Sequence, residues 1–216
     1  EITYIPQSCF EGCKSLVSIN LENIKAIGRT AFKDCKKLAF VDLSSCEKLE
    51  YEDDETSSLY GYASNFYNCY ALEKVILGKN LKIIPDSCFS GCISLSDINL
   101  ENVIDLYEYA LFRCNSLKSK TLNLSKCEKI EKNALSIFGG KLEFIDLSSI
   151  KSLDKEAFSY NSVNRIYLGK NTYYSSLEDR SIFYSFGLVY FDKGFEPAMS
   201  SEFKDFYSYK IDYQDY

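Results

Sequence analysis

A repeat with a period of about 23 residues runs through most of the chain and restricts its fold more than any other feature. Each copy ends in an apolar residue, and these residues are Leu21, Leu43, Leu77, Leu100, Leu124, Leu147, Leu168 and Phe191. The spacing between neighbours in this series is nearly constant, except that the interval from Leu43 to Leu77 is clearly longer. Such a period is typical of a stacked solenoid, in which each coil packs against the next. We therefore expect an extended surface rather than a globule with one catalytic cleft.

Each copy divides into a strand-like part and a return segment. In the strand-like part, apolar residues such as Val41 and Leu43 enclose a polar residue such as Asp42. This alternation predicts one half-buried strand of about three to five residues per coil, parallel to the strand of the next coil. The return segments share a large apolar residue, and the series is Phe10, Phe32, Phe66, Phe89, Phe112, Leu135, Phe158 and Ile182. Their shortness favours one or two turns of α or 3₁₀ helix.

Residues 24–43 show the repeat most clearly, and the residues that carry its pattern are Ile27, Ala31, Phe32, Cys35, Leu38, Val41 and Leu43. This pattern resembles the BspA-like class of leucine-rich repeats over about residues 2–192. The resemblance implies an α/β repeat solenoid, a right-handed superhelix of about eight coils with short parallel strands on one face and short helical or 3₁₀ turns on the other. The solenoid would occupy residues 1–193, with an insertion at about 50–64, and residues 194–216 would form an aromatic C-terminal cap or tail.

The family resemblance also implies a function and a location. Proteins of this kind are surface-exposed adhesins or host-interaction proteins, so we expect an extracellular or cell-surface location, although no signal peptide is visible in this segment. The net charge of −6 argues against nucleic acid as a partner, because phosphate binding needs clustered lysine and arginine. No stretch approaches eighteen apolar residues, so we expect no membrane insertion within this segment.

Nine cysteines occur in the chain, and most of them recur at fixed positions of the repeat. Spacings such as that of Cys88 and Cys92 resemble half of a metal site, but a zinc site needs about four converging ligands and the chain has no histidine. Disulfides between neighbouring coils are disfavoured, because parallel stacking holds Cβ atoms about 4.8 Å apart and a bridge needs about 3.8 Å. We expect mostly reduced, buried thiols, no metal site and no cofactor.

The absence of histidine also limits the possible chemistry. It removes the imidazole base of Ser-His-Asp and Cys-His sites. A pair of carboxylates remains as a possible acid and base, but such a pair needs a deep cleft with a set separation. A regular solenoid does not normally make one, so we expect no enzyme activity.

The outward positions of the predicted strands supply the candidate ligand-binding residues. These are Phe40, Asn99, Asn123, Phe144, Asp146, Arg165, Tyr167 and Tyr190. Exposed aromatic side chains on a sheet face often mark a contact site, and tyrosine is enriched at interfaces. The asparagine and aspartate residues have a second interpretation, in which they only form hydrogen bonds along the stack.

The enlarged third copy carries an acidic and tyrosine-rich insertion. Its candidate contact residues are Glu52, Asp53, Asp54, Tyr60 and Tyr62. A loop longer than its counterparts in a regular array often has a function. The alternative is a solvated loop without a partner.

The sequence as a whole favours a non-enzymatic binding or adhesion module of a secreted or cell-surface protein. Its partner would be a host or neighbouring-cell protein, or a glycan, bound through the strand face. The alternative is a structural spacer within a larger surface protein, with no ligand of its own. In that case the aromatic residues of the strand face are replaceable without consequence.

Overall fold

The structure is a computed structural model that describes residues 2–49, 63–117, 122–137, 141–169, 186–192 and 211–214. Its strands pair in parallel within four sheets, which we group into two series according to the position of the strands in the repeat. We call them the main ladder and the short ladder. The main ladder contains β3 (Phe40–Leu43), β5 (Lys74–Leu77), β7 (Asp97–Ile98), β10 (Lys141–Leu147), β12 (Ser162–Leu168), β13 (Phe186–Asp192) and β14 (Ile211–Gln214). The short ladder contains β1 (Tyr4–Ile5), β2 (Ala26–Ile27), β4 (Lys48–Leu49), β6 (Ile83–Ile84), β8 (Asp105–Leu106), β9 (Lys129–Ile130) and β11 (Ser152–Leu153).

The main ladder confirms the predicted parallel strands. Val41 pairs with Val75, which in turn pairs with Ile98, and all three side chains are buried. Further along, Ile145 and Ile166 pair in the same way. Because equivalent residues lie one above another, each coil buries its apolar side chains against the coils on either side.

The short ladder was not predicted, since only one strand per coil was expected. Its strands lie five residues before the large apolar residue of the return segment, as Ile27 does before Phe32. Each contains just two residues, with one side chain buried. Two positions are too few to show an alternation in the sequence, so the pattern alone does not reveal this second strand.

The return segments also differ from the prediction, because the described residues contain no α or 3₁₀ helix. Alternate backbone N–H groups point to the next coil: Phe10 donates to the carbonyl oxygen of Ala31 at 2.8 Å. The N–H groups between them close turns, as Cys13 does onto Phe10 at 3.0 Å. An α-helix would need these donors for bonds four residues back along its own chain. Left-handed residues such as Asp34, with φ of 59°, also interrupt any helical run. The α/β description and its helical turns are therefore not confirmed.

The large apolar residue of each return segment forms the centre of the core, and we call it the central residue. The rings of Phe10, Phe32, Phe66 and Phe89 stack in succession, with 5.2 to 5.4 Å between neighbouring centroids. In the next coil the central residue is Leu111, which is completely buried, and not Phe112 as predicted. The backbone settles the register, because Phe89 donates to the carbonyl oxygen of Ala110, at 2.9 Å, as Phe10 does to that of Ala31.

The number of coils and the role of the C-terminal segment depend on residues outside the described part. The predicted central residue Ile182 and most of segment 194–216 lie there, so the count of eight coils is not confirmed. Within that segment, β14 pairs in parallel with β13, with Ile211 beside Val189. The separation of these two residues along the chain is close to one period of the repeat. A capping role for residues 194–216 stays a prediction.

The cysteines confirm the prediction of reduced, buried thiols, since none is in a disulfide and seven are buried. Four of them lie three residues after a central residue and share one contact. The thiols of Cys35, Cys69, Cys92 and Cys114 each donate a hydrogen bond to the carbonyl oxygen of the preceding coil's central phenylalanine, at 3.1 to 3.2 Å. Cys13 occupies the same position in the first described coil, and its thiol is exposed. The cysteines therefore connect coils as well as filling space.

Candidate functional site

The strand face of the main ladder carries an exposed patch near its C-terminal end. Phe144 on β10, Arg165 on β12 and Leu188 on β13 are in-register neighbours. Phe144 and Leu188 are each 37% exposed, and Arg165 between them is also exposed. We call these three residues the strand-face patch. Two apolar side chains around one guanidinium form a surface that suits protein–protein contact, where arginine is enriched.

Phe40 lies at the opposite end of the same row and is 43% exposed. Its in-register neighbour is Lys74, which forms a 2.8 Å ion pair with Asp97 in the following coil. The surface around Phe40 therefore consists of an exposed aromatic ring beside a lysine and an aspartate whose charges neutralise each other. The structure does not bring Phe40 together with Phe144, because the coils of β5 and β7 lie between β3 and β10 along the chain.

Two polar candidates, Asn99 and Asp146, stand two residues further along the chain than the row of Phe40 and Phe144, in what we call the second row, and they point back to the protein backbone. Asn99 accepts a hydrogen bond from the N–H of Leu77 at 2.7 Å and donates one to the carbonyl oxygen of Leu77 at 3.1 Å. Asp146 accepts a bond from the N–H of Ser148 at 2.8 Å. Asn99 thus forms hydrogen bonds along the stack, as the alternative interpretation predicts, whereas Asp146 bonds within its own turn.

The three other candidates in this row differ in exposure. Asn123 is exposed, although its amide oxygen accepts bonds from the N–H and the hydroxyl of Ser125 at 3.2 and 2.8 Å. Tyr167 was expected on the surface, but only 9% of it is exposed. It lies between Asp146 and the half-buried Tyr190 in the register of the ladder. Tyr167 is therefore packed beneath its neighbours and offers little of its own side chain to a partner.

The candidates of the acidic insertion lie outside the described residues, and they are Glu52, Asp53, Asp54, Tyr60 and Tyr62. The described chain stops at Leu49 of β4 and resumes at Ala63, and both of these residues are buried. The insertion therefore interrupts the repeat between a short-ladder strand and the following return segment.

A groove on the return-segment side, with a volume of about 530 Å³, was not predicted. Its floor is the coil of Phe89, where Ser87, Ser90 and Gly91 occupy positions around the central residue. A Cβ atom on Gly91 would collide with the side-chain amide oxygen of Asn68 in the neighbouring coil. The backbone at Gly91 also has a left-handed φ of +79°, which a residue with a side chain would adopt only with strain.

The walls of the groove are the coils before and after its floor. Tyr67 and Tyr70 come from the coil of Phe66, whereas Tyr109 and Phe112 come from the coil of Leu111. The rings of Tyr109 and Phe112 meet edge to face, with 5.2 Å between centroids. The sequence contains a signal for this groove when the copies are aligned on their central residues. The residue after the central one is then Tyr67, Ser90 and Phe112 in three successive coils, so a small side chain lies between two large ones. The sequence analysis did not find this pattern, because it took Phe112 for the central residue.

Carboxylates gather beside the short ladder, along β8, β9 and β11, where a second groove of about 460 Å³ lies. Burial raises the pKa of Asp86 to about 6, and the charges of Glu131 and Glu108 add to this effect. Burial likewise raises the pKa of Glu108. Lys129 compensates part of the charge through a 2.5 Å ion pair with Glu131. Within the part of the chain that the structure describes, no three such ligands are placed to hold a metal ion.

The comparisons with known proteins agree with the geometry of the stack. The sequence model of the BspA-type leucine-rich-repeat region matches residues 1–54 and 62–186, in six copies. The chain belongs to the BspA-type leucine-rich-repeat family. No curated protein sequence matches it.

The BspA-type match leaves out residues 55–61, which lie within the acidic insertion. BspA-type repeats form domains of surface or secreted proteins, and leucine-rich repeats typically serve as non-enzymatic interaction or scaffold folds. Among the described residues of this BspA-type chain, none form a helix with the length and hydropathy needed to cross a bilayer.

Proposed function

We propose that this chain is a non-enzymatic binding or adhesion module of a secreted or cell-surface protein. It recognises a protein or glycan partner through the strand-face patch. The observation that supports this function best is the exposure of Phe144 and Leu188 on the two sides of Arg165. Burying exposed apolar surface on association is favourable by about 25 cal/mol per Å², before the entropy of association is subtracted.

The parallel pairing fixes the geometry of this patch before any partner arrives. β10, β12 and β13 hydrogen-bond to one another, so neighbouring positions are about 4.8 Å apart and need little ordering on binding. A rigid surface loses less conformational entropy than a mobile loop. Aromatic residues and arginine account for most of the binding free energy in many interfaces. We therefore assign Phe144 and Arg165 the main role.

A binding experiment tests the proposal directly. The protein is applied to an array of extracellular-matrix proteins and cell-surface glycans, together with a Phe144→Ala, Arg165→Ala double variant. We expect the double variant to lose at least tenfold in affinity for the partner of the wild type. Tyr160→Ala is the matched control, because Tyr160 is 69% exposed but lies in a return segment. Equal binding by the double variant and the wild type would refute the strand-face site.

The second candidate function is a structural spacer without a ligand of its own. Asn99 favours it, because both polar atoms of its side chain contact the backbone of the preceding coil. A spacer predicts that no array component binds the wild type. It also predicts that Asn99→Ala lowers the stability of the stack, which a urea titration would measure.

A further inference from the structure

We propose that the groove between the coils of Phe66 and Leu111 is a second binding site, and that its ligand is an uncharged sugar ring. The groove lies in the return segments, away from the strand-face patch. This site is therefore additional to the one assigned above and does not depend on it. Three features of the lining support the proposal: buried hydroxyl groups without partners, aromatic side chains on both sides of them, and cations that are already engaged.

Buried serine hydroxyl groups line the groove. Ser64, Ser87 and Ser90 are each at most 7% exposed. No described residue forms a hydrogen bond with any of these three hydroxyl groups. Burying a hydroxyl group without a partner is unfavourable, so its partner must come from the groove. A ligand that presents hydroxyl groups supplies such partners, whereas a purely apolar ligand does not.

Other hydroxyl groups at the same repeat position behave differently. Ser8, Thr30, Ser64 and Ser87 each stand two residues before a central residue, in four successive coils. The hydroxyl groups of Ser8 and Thr30 bond to each other at 2.7 Å on the exposed surface. Ser64 and Ser87 make no such bond within the described part of the chain. Two unbonded hydroxyl groups, one coil spacing or about 5 Å apart, can therefore bond to neighbouring hydroxyl groups of one sugar ring.

Aromatic side chains form the two walls of the groove. Tyr67 and Phe112 hold the repeat position of Ser90 in the coils before and after it. These walls are two coil spacings apart, which is about 10 Å for parallel stacking. The stacking distances of 5.2 and 5.4 Å around Phe66 agree with this coil spacing. One ring in contact with both walls needs about 7–8 Å, so the groove accommodates a single sugar ring with its C–H groups against the walls.

The cations of the lining are already engaged, so the groove does not require an anionic ligand. Lys33 forms a 3.1 Å ion pair with Glu11. The Arg113 guanidinium lies 5.7 Å from the centroid of the Phe112 ring, and Arg113 has a further interaction in the chain. The described lining includes no carboxylate that would attract a cationic ligand. An uncharged ligand therefore fits the groove better than a charged one.

The test is a calorimetric titration of the whole chain with neutral trisaccharides of glucose, galactose and mannose, and with the uronic acid counterpart of each. We expect at least one neutral sugar to bind, and to bind at least as tightly as its uronic acid counterpart. No binding of any neutral sugar would overturn the proposal. Tighter binding of the uronic acid would overturn the uncharged ligand class, as would binding of a tyrosine-rich peptide without any sugar.

Replacement of Ser87 tests the floor against a matched control. Ser87→Ala removes one hydroxyl group from the groove, and we expect it to raise the dissociation constant about tenfold. Ser8→Ala is the control, because Ser8 lies outside the groove at the same repeat position, with a left-handed φ of 56° where Ser87 has 53°. It should leave the affinity for the sugar unchanged. Equal affinities of Ser87→Ala and the wild type would refute the role of the floor.

A groove-filling variant locates the site. In Ser90→Tyr, a tyrosine replaces a residue whose counterpart in the preceding coil is Tyr67, so the fold already accepts this side chain there. We expect it to fill the slot and to abolish sugar binding. Ser159→Tyr is the matched control, since Ser159 holds the same repeat position in the coil of Phe158, outside the groove. Unchanged binding by Ser90→Tyr would contradict the proposal.

The double variant of the strand-face patch separates the two sites. Phe144→Ala, Arg165→Ala should bind the sugar as the wild type does, because neither residue lines the groove. The strand-face patch and the groove therefore succeed or fail independently. Loss of sugar binding in this double variant would place the sugar on the strand face and overturn the groove as its site.

Discussion

The thiol of Cys69 donates a hydrogen bond to the main-chain carbonyl oxygen of Phe32, one coil earlier in the stack, at 3.2 Å. Both residues are completely buried. A side chain of one coil thus donates a hydrogen bond to a backbone carbonyl group of the neighbouring coil, in addition to the backbone hydrogen bonds between strands. The repeated cysteine position therefore contributes to the contact between coils, which is the contact on which a solenoid depends.

Replacement of Cys69 tests this contribution. Cys69→Ala removes the thiol donor and leaves a small cavity, so we expect a loss of about 1–3 kcal/mol in the free energy of unfolding. Cys13→Ala is the control, because Cys13 has the same position in the repeat and is exposed. It should change the free energy by less than about 0.5 kcal/mol. Urea titration monitored by circular dichroism measures both, and equal effects would refute the role of the thiol bond.

Thiol reactivity should separate two classes of cysteine. Burial raises the pKa of Cys35 and of Cys46 to about 11, and that of Cys127 to about 12. The reactive form is the thiolate, so these residues should resist an aromatic disulfide reagent at pH 8 until the protein unfolds. Cys9 and Cys13 are exposed and should react within minutes. Rapid reaction of more than these two thiols in the native protein would contradict the described burial.

The stability of the fold should depend on pH through Asp86. Burial raises its pKa from 3.8 to about 6, so the folded state binds this proton more tightly than the unfolded state does. The resulting stabilisation is present below about pH 4 and is lost as the pH rises through 6. We expect Asp86→Asn to increase stability at pH 7.5 by on the order of 1 kcal/mol, after allowance for solvent screening, and to change it little at pH 3.5.

Thermal unfolding at the two pH values measures this effect. Glu22→Gln provides the control, because Glu22 is exposed. It should show the same small change at both pH values. An Asp86→Asn variant that is less stable than the wild type at pH 7.5 would show that the carboxylate has a favourable partner there.

The register of the fifth coil gives a further prediction. Leu111→Ala should lower the free energy of unfolding by about 2–5 kcal/mol, because Leu111 is completely buried in the stack. Phe112→Ala should have a smaller effect, of about 1 kcal/mol, because Phe112 is half-buried at the groove. Denaturant titration of the two variants compares them. A larger loss for Phe112→Ala would restore the register that the sequence pattern suggested.

The sequence predicted the main ladder because its evidence is local and repeated. Val41, Val75 and Ile98 each stand two residues before a leucine or its equivalent, and the structure places them in line. The choice between Leu111 and Phe112 had a signal in the sequence, since Ala110 and Cys114 flank Leu111 at the spacing at which Ala31 and Cys35 flank Phe32. The prediction followed the aromatic residue instead, and the hydrogen bond from Phe89 to Ala110 shows that Leu111 is the central residue.

The return segments and the candidate site show a second limit of the sequence. Helical turns were expected from segment length, whereas the N–H of Phe10 bonds to Ala31 in the next coil, and no local pattern records such a partner. Exposure was inferred from strand alternation, and this was correct for Phe144 but wrong for Tyr167. Alternation predicts the face on which a residue lies, but it does not show which neighbours cover that residue.

A nuclear Overhauser measurement on methyl-labelled protein tests the stacking of the coils most directly. Stacked coils predict contacts between the methyl groups of Val41 and Val75, and between those of Val75 and Ile98, because these residues are neighbours in successive coils. If Val41 instead shows its methyl contacts only to residues of its own copy, the coils are not stacked, and neither the strand-face patch nor the groove exists as described.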